Sequence, residues 1–229
     1  MGFIDSLMKA DFAGAYTPDN LKFIFDGLLV TLKIAVISII LSFIIGGILG
    51  IIRYAKIPVL SNIVAVAVET IRNLPLILII FFVYFGLQDP GRSWSLDMSV
   101  STAAIVALTI FESAMISEII RSGLNSVPKG QIEAARSSGL NYIQTLVHII
   151  LPQALRNMVP PIVSQFISLL KDTSLAVVIS LPELTHHGQT VYAQNGNYIY
   201  PVLLLVALIY FVVNYGLSLV ARRLEVKRA

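Results

Sequence analysis

Residues 133–156 read EAARSSGLNYIQTLVHIILPQALR. Glu133, Arg136, two serines, Gly139 and Asn141 fall within nine residues of a chain that is otherwise strongly apolar. Pro128 and Gly130 punctuate the chain just ahead of them. The spacing predicts a helix of about two turns over 131–138, ended by a left-handed residue at Gly139. Asn141 is suited to cap a second helix starting at Tyr142. That helix would carry Ile143, Leu146, Val147 and Ile150 on one apolar face and run until Pro152. A helix of two turns is not stable alone. It must pack against its own chain or against a second protein, and the residues leave both open. Ala134 and Ala135 let a surface come close, while Glu133 and Arg136 offer polar contacts.

Composition explains why this stretch stands out. Of 229 residues, 56% are hydrophobic and only 13% charged, against about 25% charged in soluble domains. Such a chain is built for lipid. It has no cysteine, which excludes disulfides and thiolate metal sites. A net charge of +3 is too small to suggest nucleic acid. His186 and His187, with Glu183 as the nearby carboxylate, make a poor metal-ligand set, and no metal is expected.

A membrane-spanning helix needs roughly 20 mostly apolar residues. Residues 34–52, extended backwards by 28–32, form one uncharged run, and 199–221 form another. Three runs are interrupted: 63–87 by Glu69 and Arg72, 100–120 by Glu112 and Glu118, and 158–181 by Lys171 and Asp172. The fold class expected is an all-α membrane protein with five transmembrane helices. Arg53, Lys56, Arg121, Lys129, Arg136, Arg156, Arg222, Arg223, Lys227 and Arg228 fall on one side of these spans, and only Lys9, Lys22 and Arg92 on the other. This bias puts the N-terminus outside and the C-terminus in the cytoplasm, so the polar helix of 131–138 faces the cytoplasm. Ile4, Leu7, Met8 and Phe12 share a helical face, which reads as an amphipathic helix on the outer surface rather than a signal peptide. The expected organisation is an outer segment at 1–22, one transmembrane domain at 23–221 containing the loop 128–152, and a basic tail at 222–229. Gly46 and Gly50 form a small-xxx-small pair that suits close helix packing.

Charges inside a membrane are costly and point to function. If the second span enters near Leu60, Glu69 lies roughly 14 Å in, near the middle of a ~30 Å core. Arg72 and Asn73 follow at i+3 and i+4 on the same face, and Pro75 frees a backbone carbonyl. Glu112 is also deep. A zwitterionic solute needs donors for its carboxylate, which Arg72 supplies, and acceptors for its ammonium group, which Glu112 or Glu69 supplies. Glu69 and Arg72 can equally neutralise one another. Glu118 with Arg121, and Lys171 with Asp172, read as structural or gating charges.

The pattern Glu133-Ala134-Ala135, Gly139, Ile149 and Leu151-Pro152 resembles the EAA loop of ABC importer permeases. VPKGQIEAA (127–135), LPQALRNMVPP (151–161), LLKDTSL (169–175) and ETIRNLPLIL (69–78) resemble the polar amino-acid branch of those permeases, the histidine/glutamine/glutamate type. Asn73 and Leu74 depart from the glycine and threonine that many members carry before the proline. The resemblance implies a type I importer fold in which 131–139 is a coupling helix gripped by a separate ATPase. Glu133, Ala134, Ala135, Arg136 and Gly139 would make the contacts, and Ile149, Leu151 and Pro152 would brace the loop. It further implies a second permease subunit, identical or related, two ATPase subunits carrying ATP and Mg, and an extracytoplasmic substrate-binding protein. The setting implied is the cytoplasmic membrane of a prokaryote. No G-x-x-x-x-G-K-S/T stretch occurs, so this chain is expected to hydrolyse nothing and hold no cofactor. The rival reading is an ion-coupled secondary carrier of a small polar solute, for which Glu69, Glu112 and Asp172 would be the coupling carboxylates.

Overall fold

The computed structural model describes residues 9–87 and 96–226, with side chains to residue 222. Ile4, Leu7, Met8, Arg92, Lys227 and Arg228, and the side chain of Arg223, lie outside these, so of the residues that defined the outer-surface helix only Lys9 and Phe12 are described, and of the basic tail's side chains only Arg222. Among the described residues all regular structure is helical: α1 (Phe12–Ala15), α2 (Pro18–Ala55), α3 (Leu60–Arg72), α4 (Leu76–Gly86), α5 (Val100–Asn125), α6 (Lys129–Ser137), α7 (Tyr142–Ile179), α8 (Leu184–Tyr192) and α9 (Ile199–Val226). Four helical stretches, Pro18–Ala55, Val100–Asn125, Tyr142–Ile179 and Gly196–Arg222, are long and apolar enough to cross a membrane.

The fifth expected span is different. Between α3 and α4 the chain turns by 105°. Pro75 supplies the reason: it has no N–H to continue the helix and disfavours helical geometry in the residue before it. The α3 helix therefore ends at Arg72, where the Asn73 amide bonds back to the Glu69 carbonyl and the Asn73 side chain caps the same carbonyl at 2.7 Å. The expected single span 63–87 is a bent pair of helices.

Pro152 does the opposite of what its type suggests, because the expected stop there does not occur. The α7 helix continues through Pro152, Pro160 and Pro161 to Ile179. Residues Leu146–Ile150 widen into a π-turn immediately before Pro152. A wider turn relieves the clash of the proline ring with the preceding turn and redistributes the carbonyls that its missing N–H leaves over. Gln153 then donates its side-chain amide to the Ile149 carbonyl at 2.8 Å.

The chain divides into two compact units. The first takes in residues to 37, 77–108 and 169–217. Its core packs Ala15, Ile24, Leu184, Val191, Val202, Val206 and Ile209. Asp11 caps α1 through the Gly14 amide (2.8 Å), and the Tyr16 hydroxyl donates to the Pro201 carbonyl (2.8 Å). With the Asp11 amide bonded to the Asn197 carbonyl, these tie α1 to the head of α9. His187 lies flat on Phe23, ring centroids 3.9 Å apart, and hydrogen-bonds the Phe23 carbonyl.

The second unit holds 38–76, 109–168 and 218 onwards. Here Gly46 and Gly50 of α2 lie directly on α5. A Cβ at Gly46 would stand 2.7 Å from the Ser113 carbonyl, and one at Gly50 2.8 Å from that of Ser117. The small-xxx-small pair thus packs helix on helix within the chain. Beside it, Ile116, Ile120, Leu124, Ile150, Ala154 and Met158 form an apolar core between α5 and α7. The turn joining α2 to α3 carries positive φ at Lys56 (51°) and Val59 (65°), which for a β-branched residue is strained backbone.

Candidate functional site

The ends of the polar segment are set by local interactions. Pro128 precedes α6 in extended geometry, and the helix closes at Ser138 and Gly139, whose φ is +89°. The Gly139 amide reaches the Arg136 carbonyl and the Leu140 amide that of Ala135. Only glycine takes this backbone without strain. Asn141 and Gln144 then form a reciprocal capping box, each side chain accepting from the other's amide at 2.9 Å. This fixes the start of α7.

The loop has two faces. Ala135 is 6% exposed and packs inward. Glu133, Ala134 and Arg136 point outward. Ala134, Ala135 and Leu140 from the loop, with Ile149 and Pro152 from α7, line one open groove of about 420 Å³. Leu151 is half exposed beside it. A Gln153–Gln131 hydrogen bond of 2.6 Å pins α6 to α7 across the groove. Of the expected residues, Ala134 and Ala135 meet Ile149 and Pro152 in this groove, while Glu133, Arg136, Gly139 and Leu151 are not part of its lining.

The charges regroup. Glu118 is held by Arg53 at 2.6 Å and by Arg121, whose Nε donates at 3.0 Å and whose Nη2 also bonds it; Arg72 stands at 3.9 Å. Arg53 also faces Glu69 at 3.7 Å. Glu69 and Arg72 of α3 therefore stand beside Arg53 of α2 and Glu118 of α5. Arg53, only 8% exposed at its side chain, sits at the centre of this cluster. Its neighbours are 16 and 65 residues away in sequence, so no local spacing could mark it.

Glu112 is fully buried on α5 and accepts a hydrogen bond from Gln165 of α7 at 3.1 Å. Asn73 and Pro75 sit at the break between α3 and α4. Lys171 is exposed and Asp172 half buried where α7 tightens into a 3₁₀ turn, and both belong to the first unit.

A second carboxylate, Glu183, escaped the sequence reading as anything but a poor ligand. It is fully buried between α7 and α8. Its oxygens accept from the His186 amide (2.8 Å), the Tyr210 hydroxyl (3.0 Å) and, at the limit of hydrogen bonding, Thr31 (3.5 Å). Burial pushes its carboxyl above the ordinary glutamate value, and these hydrogen bonds oppose that only in part.

The sequence pattern of the "Binding-protein-dependent transport system inner membrane component" family matches residues 42–228. The chain belongs to that family. It is a permease subunit, a multi-pass membrane component of a transport system rather than an enzyme. Among relatives, it is 66% identical over 220 residues to the "Probable glutamine ABC transporter permease protein GlnP" of Bacillus subtilis, covering 95% of this chain and 99% of that one. It is 40% identical to the "Probable glutamine ABC transporter permease protein GlnM" of the same organism, over 90% of this chain and 94% of the other. Among solved structures, that described as an "amino acid ABC transporter with histidines" superimposes with a TM-score of 0.84 at 28% identity, over 90% of this chain and 94% of that one. The fold also matches the MetNI methionine ABC transporter, at a TM-score of 0.68 over 90% of this chain and 98% of that one.

Proposed function

We infer that this permease forms the translocation path of an ATP-driven amino-acid importer, with glutamine the first substrate to test. The observation that carries the reading is the α6 loop, which presents Glu133, Ala134 and Arg136 outward over a groove braced by Ile149 and Pro152. The names of the relatives support the solute class. On this reading the N-terminus is outside, the loop is cytoplasmic, and a separate ATPase binding ATP and Mg grips residues 131–139. A second permease subunit, identical or related, completes the path, and an extracytoplasmic binding protein delivers the solute. Closure of the ATPase pair draws the two coupling helices together and opens the path outward; hydrolysis returns it.

Within the path, the buried Glu112 with Gln165, and the polar break at Asn73 and Pro75, are the groups assigned to the solute. Glu69 and Arg72 act through the Glu118 cluster, with Arg121, as a structural brace or gate. Lys171 and Asp172 are assigned a gating role at the end of α7.

The test is uptake by proteoliposomes holding the complete transporter, with ATP in the compartment that the coupling loops face and all ion gradients collapsed. Binding-protein-dependent accumulation of labelled glutamine supports the proposal. Uptake that needs an ion gradient and ignores ATP would assign the chain to the secondary-carrier class.

A further inference from the structure

The cluster around Glu118 is not neutral. Arg53, Lys56, Arg72 and Arg121 bring four cations to a neighbourhood where Glu69 and Glu118 bring two carboxylates. Arg53, Lys56 and Arg121 also line a cavity of about 380 Å³, whose floor adds the polar side chains of Ser61 and Asn62 at the start of α3. Each guanidinium carries five N–H donors, more than the Glu118 oxygens can take up. Lys56 makes no ion pair among the described residues. The excess positive charge therefore faces the cavity.

The rim is apolar. Ile57, Pro58 and Val59 of the turn line the cavity beside the cations, and on the α3 helix that follows Leu60, Ile63 and Val66 are exposed, Ile63 by 60% and Val66 by 68%. A soluble anion uses the charge of such a site and leaves the rim in water. An anionic phospholipid uses both: its phosphate meets the cations and its acyl chains cover the rim. Basic pockets at membrane-protein surfaces take lipid headgroups on these terms.

The geometry points to a binding site for an anionic phospholipid, with the headgroup phosphate held by Arg53, Lys56 and Arg121. The site lies in the second unit and is separate from the coupling groove. Bound there, the phosphate shares two of the three guanidinium groups that hold Glu118, so the lipid stiffens the turn at 56–59 and the ends of α2 and α5 together.

The experiment is native mass spectrometry of the complete transporter released from nanodiscs of equal phosphatidylglycerol and phosphatidylcholine. The wild type retains phosphatidylglycerol selectively. Lys56→Gln, a change at an exposed side chain, lowers that retention at least fivefold, and Lys56→Arg restores it. A parallel arm adds 10 mM inorganic phosphate, which leaves the bound lipid in place. Equal retention by wild type and Lys56→Gln overturns the proposal. So does the absence of bound lipid in the wild type, the outcome expected if a second protein covers the rim. Loss of lipid to inorganic phosphate without headgroup preference overturns it as well, and assigns the pocket to a soluble phosphate.

Discussion

The α6 loop and the Glu118 cluster belong to the same unit and are held in different ways. The loop is shaped mainly by contacts spanning six residues or fewer, the Gly139 turn, the Asn141–Gln144 capping box and a backbone closure at Ala135, with the Gln131–Gln153 hydrogen bond reaching 22 residues. The cluster is fixed by side chains up to 65 residues apart, on α2, α3 and α5. A part held locally can keep its shape while its surroundings move. A part tied to three helices moves only if they move. The loop therefore suits a handle, and the cluster suits a brace across the helices that the handle would drive.

Breaking the brace has the largest expected effect. Glu118→Ala leaves the largely buried Arg53 without its closest partner; with Glu118 22% exposed, the loss is about 3 kcal/mol, the low end for a buried pair. Thermal unfolding of the purified transporter should show it. An unchanged midpoint would mean the cluster is an ornament of the surface. The next effect tests the packing beneath it. Gly46→Leu puts a side chain where a Cβ already meets the Ser113 carbonyl at 2.7 Å, and overpacking of this kind costs about 1–3 kcal/mol. The same change at Gly216, where a Cβ meets nothing within 4 Å, is the control and should be near neutral.

The loop side of the comparison predicts smaller losses of stability. Asn141→Ala removes the capping box and should cost about 1 kcal/mol, seen as faster amide exchange at residues 142–145. Global unfolding should barely change, because the capping interaction is local. The smallest effect concerns Glu183. Its carboxyl value is raised by burial, so the neutral form is favoured in the folded state. The stability this gives is complete below about pH 4.5, its unfolded value, and is lost as pH rises through the higher folded value. Glu183→Gln should flatten this slope between mildly acid and neutral pH in denaturant titrations. A slope equal to that of the wild type would place the titration elsewhere.

The same contrast explains what could be read from the sequence. The α6 helix, the Gly139 turn and the Asn141 cap were legible because each depends on residues within one turn. The apolar runs gave the long helices for the same reason. The partners of Arg53 were not legible, because nothing in the spacing of residues 53, 69 and 118 marks them as neighbours. Pro75 and Pro152 show a subtler limit. Pro75 falls inside one expected span and Pro152 at an expected helix end, yet Pro75 breaks its helix and a π-turn before Pro152 lets α7 pass. Glu183 was missed because its partners, Thr31 and Tyr210, come from helices distant in sequence.

The central claim is that the outward face of α6 is gripped by another polypeptide. Since the chain has no cysteine, a single Ala134→Cys provides a unique handle for a short thiol-reactive cross-linker in the assembled transporter. The account predicts a cross-link to the ATPase subunit that forms at different rates with and without ATP. Cross-links confined to this chain, with the ATPase unmodified in both states, would contradict it.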